Sequence, residues 1–368
     1  MRKRSLRDVE VEGRTVLLRV DHNVPLDAER RVADDRRMVE SLPTIQYLKE
    51  REARVVLLTH LGRPGGRRSP ELSLAPDAVG PGAMDAVRAL SPGGAVYLEN
   101  LRFHPGEESN DPAFASELAR LGELFVEEAF GTVHRAHAST VGLPRRLPSC
   151  VGFLVEREVL ELGRLLDHPP QPFVVVLGGA KVKDKLPLVR HLRTLADEIL
   201  LGGALALPLL RSPAPGAPER DPEVEELLHQ RPGEAPVVLP LDFLVEGPGG
   251  AGVASVPAVP LPPGAQPLDV GPETRRFFAS RLEKAGTVFF NGPLGKVEDP
   301  RFAGGTREVL SGLRSLAGPR VAAGGDSSRA LQALGLEACF SYVSTGGGAA
   351  LELLEGRELP GLTVLPDA

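Results

Sequence analysis

The chain has 368 residues, of which 42% are hydrophobic and 25% charged, and its formal net charge is −6. At about 100–200 residues per domain, that length suggests two domains, each large enough for its own core. No run of about 18 apolar residues occurs, and the opening MRKRSLRDVEVEG lacks the apolar centre of a signal peptide, so no membrane span and a cytoplasmic location are expected. Two cysteines, Cys150 and Cys339, are too few for a disulfide scaffold and suit a reducing compartment. A mildly acidic chain without tryptophan or a long basic run is a poor nucleic-acid binder.

Taken in chain order, β-branched runs predict strands at Val16–Val20, Val55–Thr59, Ala95–Leu98 and Leu124–Glu127. Between the first two, Met38, Leu42, Ile45 and Leu48 recur at helical spacing and predict a helix over Arg36–Glu50. A domain boundary is expected near Pro144–Val151, ahead of an amphipathic linking helix over Leu154–Leu166, which makes 1–152 the first domain. Further strands are predicted at Val174–Leu177, Glu198–Leu201, Val237–Pro240, Thr287–Phe290, Arg320–Ala323 and Ser341–Ser344. The Pro/Gly-rich stretches Ser212–Pro222 and Gly247–Gly264 read as surface loops. Strands alternating with helix-length segments predict an α/β fold, with parallel sheets covered by helices on both faces.

In such sheets ligands bind beyond the carboxyl ends of the strands, and the two halves differ there. The first-half strands run into Asp21-His-Asn23, His60-Leu-Gly-Arg63, Glu99-Asn-Leu-Arg102 and a stretch holding His134, Arg135 and His137, with Arg36 and Arg37 opening the predicted helix. Arginine donates a planar fork of hydrogen bonds that suits phosphate and carboxylate. One such arginine alone reads as surface charge; their recurrence at successive strand ends predicts an anion site.

The second-half strands end in glycine instead: Gly178-Gly179, Gly202-Gly203, Gly292, Gly324-Gly325 and Gly346-Gly-Gly348. Such turns let backbone amides approach a polyphosphate closely. Neither a Walker loop nor a dinucleotide fingerprint is present. Lysine is scarce, yet Lys181, Lys183 and Lys185 fall in one pentad after the first of these turns. If the pentad opens a helix, residues 181 and 185 share a face, where two ammonium groups call for an anionic ligand. Asp326 is either a magnesium ligand or a helix cap on spacing alone. His134 and His137 lack the partners of a zinc site.

These residues resemble the phosphoglycerate kinase family over nearly the whole chain. The matching stretches include Leu17–Pro25, Leu58–Pro64, Leu98–Glu108, Ala129–Ser139, Leu177–Lys185, Asp269–Thr274, Asn291–Gly295, Gly324–Asp326 and Ser344–Ala349, in family order. The resemblance implies two Rossmann-like domains facing an interdomain cleft: 1–152 binding 3-phosphoglycerate, 153–345 binding nucleotide, and a tail, 346–368, returning to the first. It implies reversible phosphoryl transfer between 1,3-bisphosphoglycerate and ADP, with Mg2+ accompanying ATP or ADP. No apolar repeat or heptad advertises an interface, so a monomer is expected. Asp21, Asn23, Arg37, His60, Arg63, Arg102 and Arg135 would hold 3-phosphoglycerate, and Arg37 and Lys181 would be catalytic. Lys181, Lys185, Gly203, Asn291, Glu298, Gly324, Gly325, Asp326 and Ser327 would meet the nucleotide, with Asp326 also on the metal.

The pattern departs in places. Ala78–Ala86 is shortened, Ala204–Pro208 differs from the family's adenine-pocket turn, Glu128 stands for an aspartate, and Lys296-Val297 replaces an apolar pair. A paralogue with altered nucleotide or acyl-phosphate specificity, and a non-catalytic binding protein keeping the fold, are therefore the competing readings.

Overall fold

Runs such as Thr-Val-Leu-Leu and Phe-Val-Val-Val-Leu cannot leave their side chains in water, and as strands they bury both faces at once. The computed structural model describes residues 2–69, 74–179, 184–210, 221–247, 252–262 and 264–368. The chain forms two units, Met1–Leu160 with Glu358–Ala368, and Glu161–Arg357.

The first unit contains β1 (Thr15–Arg19), α1 (Arg36–Glu50), β2 (Arg54–Leu58), α2 (Pro81–Arg88), β3 (Ala95–Tyr97), α3 (Pro105–Glu108), α4 (Pro112–Ala119), β4 (Leu124–Glu127) and β5 (Ser149–Val151). Its sheet has the order β3-β2-β1-β4-β5, with every pair parallel. The order reverses between β1 and β4, so the crevice beyond their carboxyl ends is the expected ligand position. Val16, Leu18, Val55, Leu124, Val126 and Cys150 build the core under one face.

Helix α1 covers the predicted range, and of the expected stripe Leu48 and Ile45 pack on the core. Ser41, Thr44 and Leu48 are buried, whereas Leu42 is exposed. The two hydroxyls go inward because each finds a buried partner: His22 for Ser41, and the amide of Phe153 for Thr44.

α5 (Phe153–Leu166) carries the chain from one unit to the other, so the division falls inside this helix and not before it. The second unit adds β6 (Phe173–Leu177), α6 (Leu186–Leu192), β7 (Glu198–Leu201), α7 (Leu207–Leu210), α8 (Pro222–Leu228), β8 (Val237–Val238), β9 (Asp242–Glu246), β10 (Val253–Pro257) and β11 (Pro267–Val270). It continues with α9 (Pro272–Leu282), β12 (Thr287–Asn291), α10 (Gly304–Ser311), β13 (Arg320–Ala322), α11 (Gly325–Leu334), β14 (Tyr342–Val343) and α12 (Gly348–Leu354). The main sheet, β14-β13-β12-β6-β7-β8, is parallel throughout. Its order reverses between β6 and β12, which bear two of the glycine turns.

A second, antiparallel sheet, β10-β9-β11, corrects the reading of Gly247–Gly264 as loop. β10 is mostly exposed on this edge and carries no apolar run to announce it. Most of Ser212–Pro222 lies outside the described residues. The returning segment is shorter than the expected 346–368, because α12 packs on α6 within the second unit. It ends in α13 (Pro360–Thr363) and is fastened by Gly361 N–H donating to Val133 O at 2.8 Å and by Lys3 pairing with Asp367 at 2.7 Å.

Candidate functional site

In the first unit, the turn after β1 presents Asp21 and Asn23, and the first turn of α1 presents Arg37. Arg37 pairs with Asp21 at 2.9 Å and donates to the Asn23 carbonyl at 3.2 Å. Asn23 Oδ1 in turn accepts from Gly62 N–H at 2.9 Å, tying the β1 turn to the β2 turn. Beyond β3, Arg102 is 4% exposed and donates to the Gly62 carbonyl at 2.9 Å. Beyond β4, Arg135 Nε meets His134 Nε2 at 3.2 Å. Arg63 is exposed on the loop after β2.

His60 reports how closely these cations gather. Burial lowers its pKa well below the ordinary histidine value, and the charges of Arg19, Arg102, Arg135 and Arg37 lower it further. Burial, then Arg102, Arg19 and Arg135, hold His137 down at about 4. Both imidazoles are therefore neutral donors and acceptors among guanidinium groups. Arg102 has its own pKa lowered, by burial and then by Arg135. Asp21 faces Arg37 and Glu108 faces Arg102 at 3.3 Å, yet the surplus of guanidinium charge still favours an entering anion. Asp21 Oδ1 is buried without a hydrogen-bond partner, which leaves an acceptor for a ligand hydroxyl.

Two groups under this cluster escape motif reading. Arg19, fully buried inside β1, donates to Ser139 Oγ at 2.9 Å and to His60 Nδ1 at 3.1 Å. Glu107, also buried, accepts from Ser139 N–H and Oγ–H at 3.0 and 2.6 Å. A charged residue inside an otherwise aliphatic parallel strand is the one signal that could have found Arg19.

In the second unit, a cleft of about 510 Å³ opens at the carboxyl ends of β6, β7 and β12. Gly203, Glu298 and Asp326 line it, as does Gly179. The switch-point turns touch so closely that a Cβ on Gly178 would lie 2.1 Å from the Pro293 carbonyl. Asn291, Gly324 and Ser327 stand behind the lining. The Ser327 hydroxyl donates to Ala323 O at 2.6 Å and accepts from Gly292 N–H at 2.8 Å, so it fixes the turn that presents α11. Asn291 Oδ1 accepts from Lys185 Nζ and its amide nitrogen donates to Ala323 O at 2.7 Å. Gly324, at φ +95°, would place a Cβ 2.5 Å from that nitrogen. Gly325 begins α11. Burial lowers the Lys185 pKa, while Asp326, Asp184 and Glu355 oppose the shift. Lys181 and Lys183 lie outside the described residues.

Asp269 and Arg329 also line the cleft and were not expected there. Asp269 is buried against Arg275 at 2.8 Å, and burial raises its pKa to about 6. Arg329 holds the Asp326 carboxylate at 2.5 Å.

The family model described as phosphoglycerate kinase matches residues 6–357. The chain belongs to the phosphoglycerate kinase family. The phosphoglycerate kinase of Thermomicrobium roseum is 45% identical, over 98% of this chain and 99% of the relative. That of Rubrobacter xylanophilus is 44% identical, over 100% and 99%. Among solved structures, phosphoglycerate kinase from Coxiella burnetii superposes with a TM-score of 0.84 at 31% identity, covering 98% of each chain. The enzyme from Pyrococcus horikoshii gives 0.83 at 30%, again covering 98% of each chain. Membership in this family thus extends over both units, including the strand ends that carry the two clusters.

Proposed function

We propose that the chain catalyses reversible phosphoryl transfer from the acyl phosphate of 1,3-bisphosphoglycerate to ADP, giving 3-phosphoglycerate and ATP in glycolysis. The observation that carries this reading is the gathering of Arg19, Arg37, Arg102 and Arg135 around His60 at the strand ends, in a chain that the family model matches over residues 6–357. Arg102, Arg135, Arg63 and His60 bind the phosphate and carboxylate of the three-carbon acid, and Asp21 and Asn23 orient its hydroxyl. In the forward direction the acyl C–O–P linkage breaks at phosphorus while a β-phosphate oxygen of ADP forms the new bond. A carboxylate is a good leaving group, so the protein's task is in-line positioning and stabilisation of the charge on the transferring oxygens. Arg37 and Lys181 serve that charge.

The second-unit cleft suits a nucleotide. Phe243, Leu268, Val297 and Ala333 give apolar walls for the base and Glu298 accepts from the ribose, while Lys185, held on Asn291 behind the lining, meets the phosphates. Among the described residues no group of three or more His, Cys, Asp or Glu could hold a metal ion. A single exposed carboxylate at the start of α11 fits Mg2+, which keeps most of its ligands as water and substrate phosphate, so Asp326 would hold it. When bound, Mg2+ neutralises phosphate charge. No helix among the described residues is long and apolar enough to cross a membrane, and both cysteines are buried and free. These features support a cytoplasmic enzyme, and we take it to act as a monomer.

Replacing Arg37 with alanine is expected to lower kcat on the order of 10²–10³-fold, the usual loss for one charge-stabilising donor. Binding of 3-phosphoglycerate, measured by calorimetry, should weaken far less. A variant turning over near the wild-type rate would remove Arg37 from the chemistry.

A further inference from the structure

His22 lies between Asp21 and Asn23, is 8% exposed, and has both ring nitrogens occupied. Nδ1 is 2.7 Å from the Tyr97 hydroxyl and Nε2 is 2.8 Å from Ser41 Oγ. Ser41 Oγ is also 2.7 Å from the Met38 carbonyl, which can only accept. The single Ser41 hydrogen therefore goes to Met38, and Ser41 accepts from His22 Nε2–H. Nδ1 is then the bare nitrogen, and Tyr97 donates to it. In the opposite assignment the Met38 carbonyl loses its hydroxyl donor, and among the described residues Tyr97 has no acceptor for its hydrogen. Only the first arrangement uses every hydrogen: Tyr97 to His22, His22 to Ser41, Ser41 to Met38. Burial keeps the ring neutral, holding its pKa at about 4, and raises that of Tyr97.

Ser41 is one helical turn beyond Arg37 on α1, so both face the same turn of chain. The helix thus grips Asp21–Asn23 at two points, through Arg37 on Asp21 and Ser41 on His22. The first grip cannot last through a reaction in which Arg37 turns to the transferring phosphoryl group. The second does not involve any group the reaction needs. The backbone of His22 is fixed as well, donating to Thr59 Oγ1 at 3.1 Å.

We propose that His22 is a positioning residue for the acceptor site, holding the Asp21–Asn23 turn in register with α1 while Arg37 is engaged elsewhere. The proposal rests on the assignment of this cluster to 3-phosphoglycerate. Nitrogen-15 histidine NMR on the full chain, without substrate, should show His22 as the neutral Nε2–H tautomer, and Tyr97→Phe should shift its Nδ1 resonance. His22→Phe should raise KM for 3-phosphoglycerate at least five-fold and leave KM for ATP within two-fold. Ser41→Ala, which removes one small buried hydroxyl, carries the same test if His22→Phe does not fold, with a rise of at least two-fold. An Nδ1–H tautomer overturns the relay, and unchanged KM for 3-phosphoglycerate in a folded variant overturns the positioning role. Absence of turnover in the wild type would overturn the acceptor-site assignment and the role built on it, leaving the relay judged by the tautomer.

Discussion

Asp326 and Arg329 meet at 2.5 Å one turn apart on α11, with side chains 75% and 73% exposed. A pair so open to water adds little to stability, but it decides what the carboxylate offers a nucleotide. With Arg329 in place, the repulsion between Asp326 and bare phosphates is damped, and a metal ion must displace a guanidinium. Arg329→Ala should therefore weaken ADP binding in the absence of Mg2+ and not in its presence. Calorimetry is expected to show the Mg2+ advantage, the ratio of the two Kd values, rising about two- to five-fold, the range of a surface ion pair. An unchanged ratio would mean that the pair does not influence the site. His22 and Arg329 are unremarkable in sequence for different reasons. The partners of His22, Ser41 and Tyr97, lie 19 and 75 positions away and are set by folding, whereas the i,i+3 spacing of Asp326 and Arg329 is ordinary on any exposed helix. The arginines at strand ends were legible because fold class alone places them.

Elements were legible where aliphatic runs carry them. β4, β7 and α1 cover their predicted ranges, and other strands of the two parallel sheets differ at their ends. β5, Ser-Cys-Val, lacks an aliphatic run, and β10 is too exposed. The inward face of α1 mixes Leu48 and Ile45 with the buried hydroxyls of Ser41 and Thr44, so apolar periodicity found only part of it. The end of β4 shows the same preference for buried polar contacts. Glu127 and Glu128 are both fully buried, and burial raises each pKa from 4.5 to about 8, with Arg19 opposing the shift at Glu127. Glu128 accepts from Leu154 N–H at 3.2 Å and so caps α5, while Glu127 Oε2 has no hydrogen-bond partner. The folded chain holds protons at these carboxyls that the unfolded chain releases above about pH 4.5. Their contribution is thus most favourable at low pH and is lost as pH rises towards 8. Glu127→Gln cannot ionise and should flatten the loss. Denaturant unfolding at pH 5, 7 and 9 should show the variant gaining on the wild type as pH rises; parallel curves would contradict a raised Glu127 pKa.

On the scale of the whole molecule, each unit places its candidate ligand residues near the point where strand order reverses, between β1 and β4 in one sheet and between β6 and β12 in the other. Length suggested the two units, and the strand ends showed that one sheet runs into arginines and the other into glycines. The exact crossing points were not legible, since α5 is one continuous helix through the division and α12 resembles any other amphipathic segment. The central claim is that this pair of sites transfers a phosphoryl group between a nucleotide and the carboxyl group of 3-phosphoglycerate. Its most direct test is ATP-dependent formation of the acyl phosphate, followed by reductive trapping with glyceraldehyde-3-phosphate dehydrogenase and NADH, across a panel of ATP, GTP and other donors. Turnover that requires both 3-phosphoglycerate and Mg2+, and that is lost in Lys181→Ala, is the expected result. No turnover with any donor, in a protein that binds both ligands, would contradict the account and identify a binding protein that has kept the fold.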